Sequence, residues 1–172
     1  MGRITFILGG VRSGKSSYAL ALAKKGKKKT AFIATCQALD QEMSERIKLH
    51  RRARPGDWRT FEEAYDVSGL LHRIGAKFEI ILIDCVTILI SNLMLRGLSE
   101  DAIRKEVNDI LAALNKKKAK VIIVSNEVGL GIVPRNKLAR DFRDLAGQVN
   151  QIIAKKADAV FFMAAGLPLK VK

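Results

Sequence analysis

The chain has 172 residues, of which 48% are apolar and 28% charged, and a formal net charge of +14 at pH 7. That is enough apolar material for one packed domain, and it excludes a disordered or collagen-like chain. Residues 1–86 hold 16 basic and 9 acidic side chains, and residues 87–172 hold 15 and 8. The excess is therefore no basic tail on a neutral body, and a surface of this sign attracts anions.

Ile4–Leu8 is a β-branched-rich run that stops at Gly9-Gly10 and predicts a buried strand. A helix follows over Lys15–Lys24, then a solvated turn in KKGKKK (24–29) and a second strand at Thr30–Ala34. Asp40 suits the N-cap of a helix through Gln41–Arg54, with Met43, Ile47 and His50 on one face and Arg46 alongside. Pro55 ends it, because the residue before proline avoids the helical region. Glu62–Ile74 reads as another helix and Glu79–Ile83 as an apolar strand ending in Asp84. Helices are expected over Val86–Leu95 and Ser99–Lys116. The second carries Ile103, Val107, Ile110, Leu111 and Leu114 as its apolar stripe. Val121–Val124 is a fourth strand. The loop SNEVGLGIVP (125–134) leads to a helix over Asn136–Lys156, and Ala159–Met163 is a fifth strand. Leu167–Val171 pairs back through the turn at Gly166 and Pro168. Continuously apolar strands alternating with helices predict a P-loop-type α/β fold: one domain over residues 1–172, with a mostly parallel sheet covered on both faces.

Cys36 and Cys85 lie far apart with no C-x-x-C spacing, which excludes a disulfide framework and a structural zinc site and fits a cytoplasmic protein. The opening MGRITFILGG has no cleavage-site pattern. The longest apolar stretch, around Ile80–Ile90, is broken by Asp84 and Thr87. It falls short of the roughly 20 residues of a membrane span, so none is expected.

The strongest chemical signal is Gly9-Gly10-Val11-Arg12-Ser13-Gly14-Lys15-Ser16, a GxxxxGK[S/T] motif with a strand before it and a helix after it. Glycines let the backbone wrap a phosphate with its N–H groups pointing inward, and the helix N-terminus adds partial positive charge. Lys15 would reach the β- and γ-phosphates, and the Ser16 hydroxyl would bind Mg²⁺. Asp84, at the end of what is expected to be a neighbouring strand, either holds the same Mg²⁺ or caps the helix starting near Val86. The phosphate loop favours the metal role. His72 lies on an amphipathic helix as a boundary residue. His50 lies among Arg46, Arg51, Arg52 and Arg54. The residues alone leave two readings of His50 open: a nucleophile toward a nucleotide α-phosphate held by arginines, or one histidine on a solvated basic helix.

Five segments, in chain order, resemble a single family. They are GGVRSGKS; IATCQALDQEMSERI; H-x-x-x-R-P-x-x-W-R-T from His50 to Thr60; IDCVTILISNLM; and SNEVGLGIVPRNKLARDFRDLAGQVNQ. The family is the bifunctional adenosylcobinamide kinase and adenosylcobinamide-phosphate guanylyltransferase of cobalamin assembly. The phosphate loop is generic among NTPases, whereas the His50 segment and the NEVGxGIVP loop are more specific. The resemblance implies phosphorylation of adenosylcobinamide by ATP or GTP. GMP then passes from GTP, through a covalent GMP–histidine, to adenosylcobinamide phosphate. It puts the family histidine on His50. It puts guanine-nucleotide contacts on Ala34-Thr35-Cys36, Arg51-Arg52-Ala53-Arg54, Glu62 and Asp84, with Glu62 accepting from a guanine or ribose donor. Without the family, Glu62 reads as an ordinary first-turn helix glutamate. The family also implies a homotrimer. Val11 stands where the family often has a smaller residue, and Leu49 leaves no second histidine beside His50. The rivals are a member that kept only the kinase reaction and a P-loop ATPase that binds nucleic acid. With 6% aromatics and no alternation of basic and aromatic residues, nucleic acid is not an expected partner.

Overall fold

The computed structural model describes residues 3–25, 28–38, 40–116 and 118–172. Gly26 and Lys27 of the predicted turn, and the side chain of Arg46, lie outside the described residues. In chain order the elements are β1 (Ile4–Gly9), α1 (Lys15–Ala23), β2 (Thr30–Ala34), α2 (Gln41–Arg52), β3 (Arg59–Glu62), α3 (Val67–Ile74) and β4 (Ile80–Asp84). They continue with α4 (Val86–Leu95), α5 (Glu100–Asn115), β5 (Lys120–Val124), α6 (Lys137–Lys156), β6 (Ala159–Ala164) and β7 (Leu167–Lys170). The strands form one sheet in the order β3-β2-β4-β5-β1-β6-β7. All pairs are parallel except the terminal β6–β7 hairpin.

The inner strands are apolar apart from Thr5, Thr30, Asp84 and Lys120, because both faces of the sheet are covered. Successive residues alternate between two cores. Ile81, Ile83, Val121 and Ile123 face α3, α4, α5 and α6, while Ile80, Leu82, Ile122 and Val124 face α1. The expected cap at Asp40 is present, and Ser99 and Asn136, expected as first helical residues, are caps as well. Asp40 Oδ1 accepts from Met43 N at 2.7 Å, Ser99 Oγ from Ala102 N at 3.3 Å and Asn136 Oδ1 from Ala139 N at 2.7 Å.

Two expectations need correction. The helix expected over 62–74 is a strand followed by a shorter helix. Arg59–Glu62 pairs in parallel with Ala31–Ala34, and α3 starts only at Val67, where Asp66 Oδ1 accepts from Gly69 N at 2.8 Å. Thr60 and Phe61 favour extended structure once β2 offers a free edge. Glu62 is thus the last residue of an edge strand, not a first-turn helix glutamate. Asp84 also does not lie on a strand next to β1, because β5 is inserted between β1 and β4. A smaller difference is that α2 stops at Arg52, one turn short of Pro55.

Candidate active site

The site lies where the strands of an α/β sheet end, the usual position for a ligand. Beyond Gly9 the chain turns through Arg12 and Gly14, both at positive φ (55° and 92°), and enters α1 at Lys15. A Cβ on Gly9 would lie 2.6 Å from Met163 O, so only glycine fits there. The β6–β7 turn packs against the loop, with Gly166 N donating to Ser13 O at 3.0 Å. Lys15 is buried and folds over its own loop, with Nζ donating to Gly10 O at 2.5 Å and to Ser13 Oγ at 3.4 Å. Burial lowers its pKa, against the pull of Cys85 and Asp84. A buried cation beside a helix N-terminus is an arrangement that suits an anion. Val11–Ser17, Leu49, His50, Asp84 and Asn126 are among the walls of a cleft of about 500 Å³.

Strand register builds the lip of the site. Glu62 pairs with Ala34, Ala34 with Asp84 and Asp84 with Val124, so these four form one row across β3, β2, β4 and β5. This row carries Asp84 to Ser16 despite the intervening strand. Burial pushes the Asp84 carboxyl above the usual carboxylate range. The Ser16 hydrogen bond opposes that most, followed by His50, Arg54 and Lys15. Cys85 next to it is fully buried, and its thiol is pushed up to about 12 by burial and by Asp84, which makes it inert as a nucleophile. Thr35 pins this corner. Its Oγ1 donates to Cys85 O at 2.8 Å and accepts from Cys85 N at 2.9 Å, and its own N–H donates to Asp84 O at 3.2 Å.

A second, smaller cavity of about 170 Å³ opens beside the first. Phe32, Ala34, Cys36, Met43 and Ile47 supply its less polar side, and His50, Arg54, Glu62 and Asp84 its polar groups. His50, in the last turn of α2, is exposed and, with Asp84 and Ile88, borders both cavities. The Arg54 guanidinium lies 3.6 Å from the Phe32 ring centroid, its Nε is buried without a hydrogen-bond partner, and burial lowers its pKa. Arg51 bonds Glu62 at 2.8 Å, but both side chains are more than half exposed. That pair is worth about 0–1 kcal/mol to the fold and leaves both groups available to a ligand.

The structure thus brings Val11, Arg12, Ser13, Gly14, Lys15, Ser16, His50 and Asp84 to one cleft. It brings Ala34, Cys36, Arg54 and Glu62 to its neighbour, with Gly9 and Gly10 supporting the loop. Thr35 is fully buried and lines neither cavity, so its hydroxyl serves the backbone. Arg52 and Ala53 line neither cavity; both are exposed, and Ala53 O accepts from Lys24 Nζ at 3.3 Å. Sequence reading gave no role to Ile88, Asn126 or Asn92. Asn92 is buried and bonds Thr35 O at 2.8 Å and Ala64 O at 3.1 Å. A polar residue inside the apolar run of α4 was the available signal.

A sequence model of the cobinamide kinase / cobinamide phosphate guanyltransferase family matches residues 5–171. The chain belongs to this family. It is 40% identical over 178 residues to the bifunctional adenosylcobalamin biosynthesis protein CobU of Escherichia coli K12, covering 96% of this chain and 98% of that one. The Salmonella typhimurium LT2 protein of the same name gives the same identity and coverage. The bifunctional protein CobP of Pseudomonas aeruginosa is 40% identical over 166 residues, covering 96% and 95%. Among solved structures, a KaiC-like protein of Pyrococcus horikoshii OT3 aligns with TM-score 0.56 and 13% identity, over 94% of this chain and 70% of that one. This likeness bears on the fold alone. The family is one of bifunctional transferases of cobalamin biosynthesis. No helix among the described residues is long and apolar enough to cross a membrane.

Proposed function

We propose that both reactions run at this one site, with His50 as the covalent carrier of GMP. The observation that carries the reading is that His50 stands between the phosphate-loop cleft and the pocket holding Glu62 and Arg54. In the kinase reaction, the loop N–H groups and Lys15 hold the β- and γ-phosphates of ATP or GTP while the side-chain hydroxyl of adenosylcobinamide attacks the γ-phosphorus. The bond from that phosphorus to the β–γ bridging oxygen breaks, the nucleoside diphosphate leaves, and the hydroxyl proton passes to solvent. In the transferase reaction, a ring nitrogen of His50 attacks the α-phosphorus of GTP. The P–N bond forms as the bond to pyrophosphate breaks, and Arg54, which lines the same pocket as His50, stabilises the developing charge. A phosphate oxygen of adenosylcobinamide phosphate then attacks the same phosphorus, the P–N bond breaks, and adenosylcobinamide-GDP leaves with His50 restored. Glu62 accepts from guanine donors at the pocket rim.

The donor set fits Mg²⁺. Ser16 and Asp84 offer two hard oxygens in mutual contact, and a buried carboxylate gains from a cation. Among the described residues there is no group of three or more His, Cys, Asp or Glu that would favour a closed protein cage. When bound, Mg²⁺ supplies charge neutralisation at the phosphate oxygens. The reading places the enzyme in the cytoplasm as a single-domain protomer of a homotrimer, with no nucleic acid required.

The test is labelling with GTP carrying radioactive α-phosphorus, resolved on a denaturing gel. Wild type and His72→Ala should give a covalent band that survives base and is lost in acid. His50→Ala should give none while keeping kinase turnover with ATP. A labelled His50→Ala protein would place the nucleophile elsewhere.

A further inference from the structure

The positive charge that the two halves of the sequence share evenly is gathered by the fold onto one edge. Six of the seven strands run parallel and start at the same side, and α1, α3, α5 and α6, each leading directly into one of them, end there, opposite the phosphate loop, where the antiparallel β7 also ends. Arg3 and the segments 24–25, 28–29, 75–79, 118–120, 155–158 and 170–172, with Lys116, bring thirteen Lys and Arg to that side against two carboxylates, Glu79 and Asp158. The rest of the molecule is nearly balanced.

A cleft of about 1320 Å³ opens in this edge, and six cations line it: Arg3, Lys28, Lys116, Lys118, Lys120 and Lys170. Its two carboxylates are engaged by backbone. Asp158 Oδ2 accepts from Ile4 N at 2.7 Å and Glu79 Oε2 from Lys29 N at 3.3 Å. Among the described residues, none of the six cations forms an ion pair with a carboxylate. Lys120 is half-buried at the start of β5, with Nζ donating to Leu22 O at 3.1 Å. Burial, Lys25 and Lys28 together lower its pKa. Uncompensated cations around a concave, low-dielectric wall focus a positive potential. An anion with several charges spaced along a chain relieves it, and lysine heads meet phosphate oxygens as point charges without fixing their orientation. The concavity is wrong for a planar membrane. The floor has two aromatics, Phe78 and Phe161, each in a T-shaped contact with another ring rather than in a row for stacking successive bases.

We propose that this cleft is a second anion site, separate from the phosphate loop, that takes a linear polyphosphate group, either free or carried by a nucleoside. The test uses the full chain carrying Lys15→Ala, which disables the phosphate loop, titrated with sodium tripolyphosphate by calorimetry at low ionic strength. One equivalent should still bind, and adding Lys28→Glu with Lys118→Glu should weaken it at least tenfold. The same two exposed changes in the wild-type background should leave kinase turnover unchanged, which confirms the fold. ATP binding tenfold more tightly than tripolyphosphate would assign the site to a nucleoside triphosphate, and equal binding would assign it to the phosphate chain alone. Loss of all tripolyphosphate binding in Lys15→Ala, or unchanged affinity after the two charge reversals, overturns the proposal. So does a single-stranded RNA that binds more tightly than either probe and is released by the reversals, which would make the face a nucleic-acid dock.

Discussion

Thr35→Val tests whether Thr35 belongs to the frame of the site or to its ligand contacts. The substitution keeps the side chain's size and branching and removes only the hydroxyl. That hydroxyl bonds both Cys85 N (2.9 Å) and Cys85 O (2.8 Å) in a fully buried position. Cys85 O keeps a bond from Leu89 N at 3.3 Å, so the main loss is a buried Cys85 N–H left without its side-chain acceptor. An orphaned buried donor costs about 1–3 kcal/mol. A loss near 2 kcal/mol lowers the midpoint of a chain this size by roughly 4–8 °C. Thermal unfolding without nucleotide, followed by circular dichroism, measures it. Thr35→Ser keeps the hydroxyl and loses one methyl, so it should cost about 1 kcal/mol. GTP affinity, measured well below the midpoint, should stay within a few-fold of wild type in the serine variant. A valine variant as stable as wild type would refute the bridging role. A serine variant of normal stability that fails to bind GTP would show that the residue reads the nucleotide.

Two further outcomes follow from the same corner. Asp84 has its pKa raised by burial, so the native state holds its proton more tightly than the unfolded chain does. The stability of the ligand-free wild type relative to Asp84→Asn should therefore fall as pH rises from about 4, the unfolded carboxyl's range, through the higher native value. Denaturant unfolding of both proteins at several pH values measures this, and a relative stability that rises with pH contradicts it. Gly9→Ala puts a Cβ 2.6 Å from Met163 O and 2.7 Å from Ser13 Oγ, whereas a Cβ on Gly10 meets nothing within 4 Å. The first should cost about 1–3 kcal/mol and sharply weaken nucleotide binding, and the second should be close to neutral in unfolding assays. Equal effects at the two positions would mean that the β6–β7 hairpin does not brace the loop.

The phosphate loop was legible in the sequence because its chemistry is contiguous. Strand, glycine turn, lysine, serine and helix succeed one another within thirteen residues, and each step is dictated locally. The cap at Asp40 and the stripe of α5 were legible for the same reason, since groups three or four positions apart in the chain decide them. His50 and Glu62 were not legible as site residues from pattern alone. An arginine-rich helix and a glutamate after an aromatic each have an ordinary reading, and only the family resemblance set them apart.

What the sequence by itself determined about this protein is therefore the set of elements whose causes are local, together with the phosphate loop they present. Tertiary structure decided the rest, because strand pairing joins residues far apart in the chain. The free edge of β2 turned Arg59–Glu62 from expected helix into strand and put Glu62 in one row with Ala34, Asp84 and Val124. The insertion of β5 separated Asp84's strand from β1, and Thr35 became a buried brace once β2 lay beside β4. The charge shows the division most clearly. Halving the sequence finds the excess evenly shared, while the sheet, by sending the starts of its six parallel strands to one side, gathers it opposite the phosphate loop.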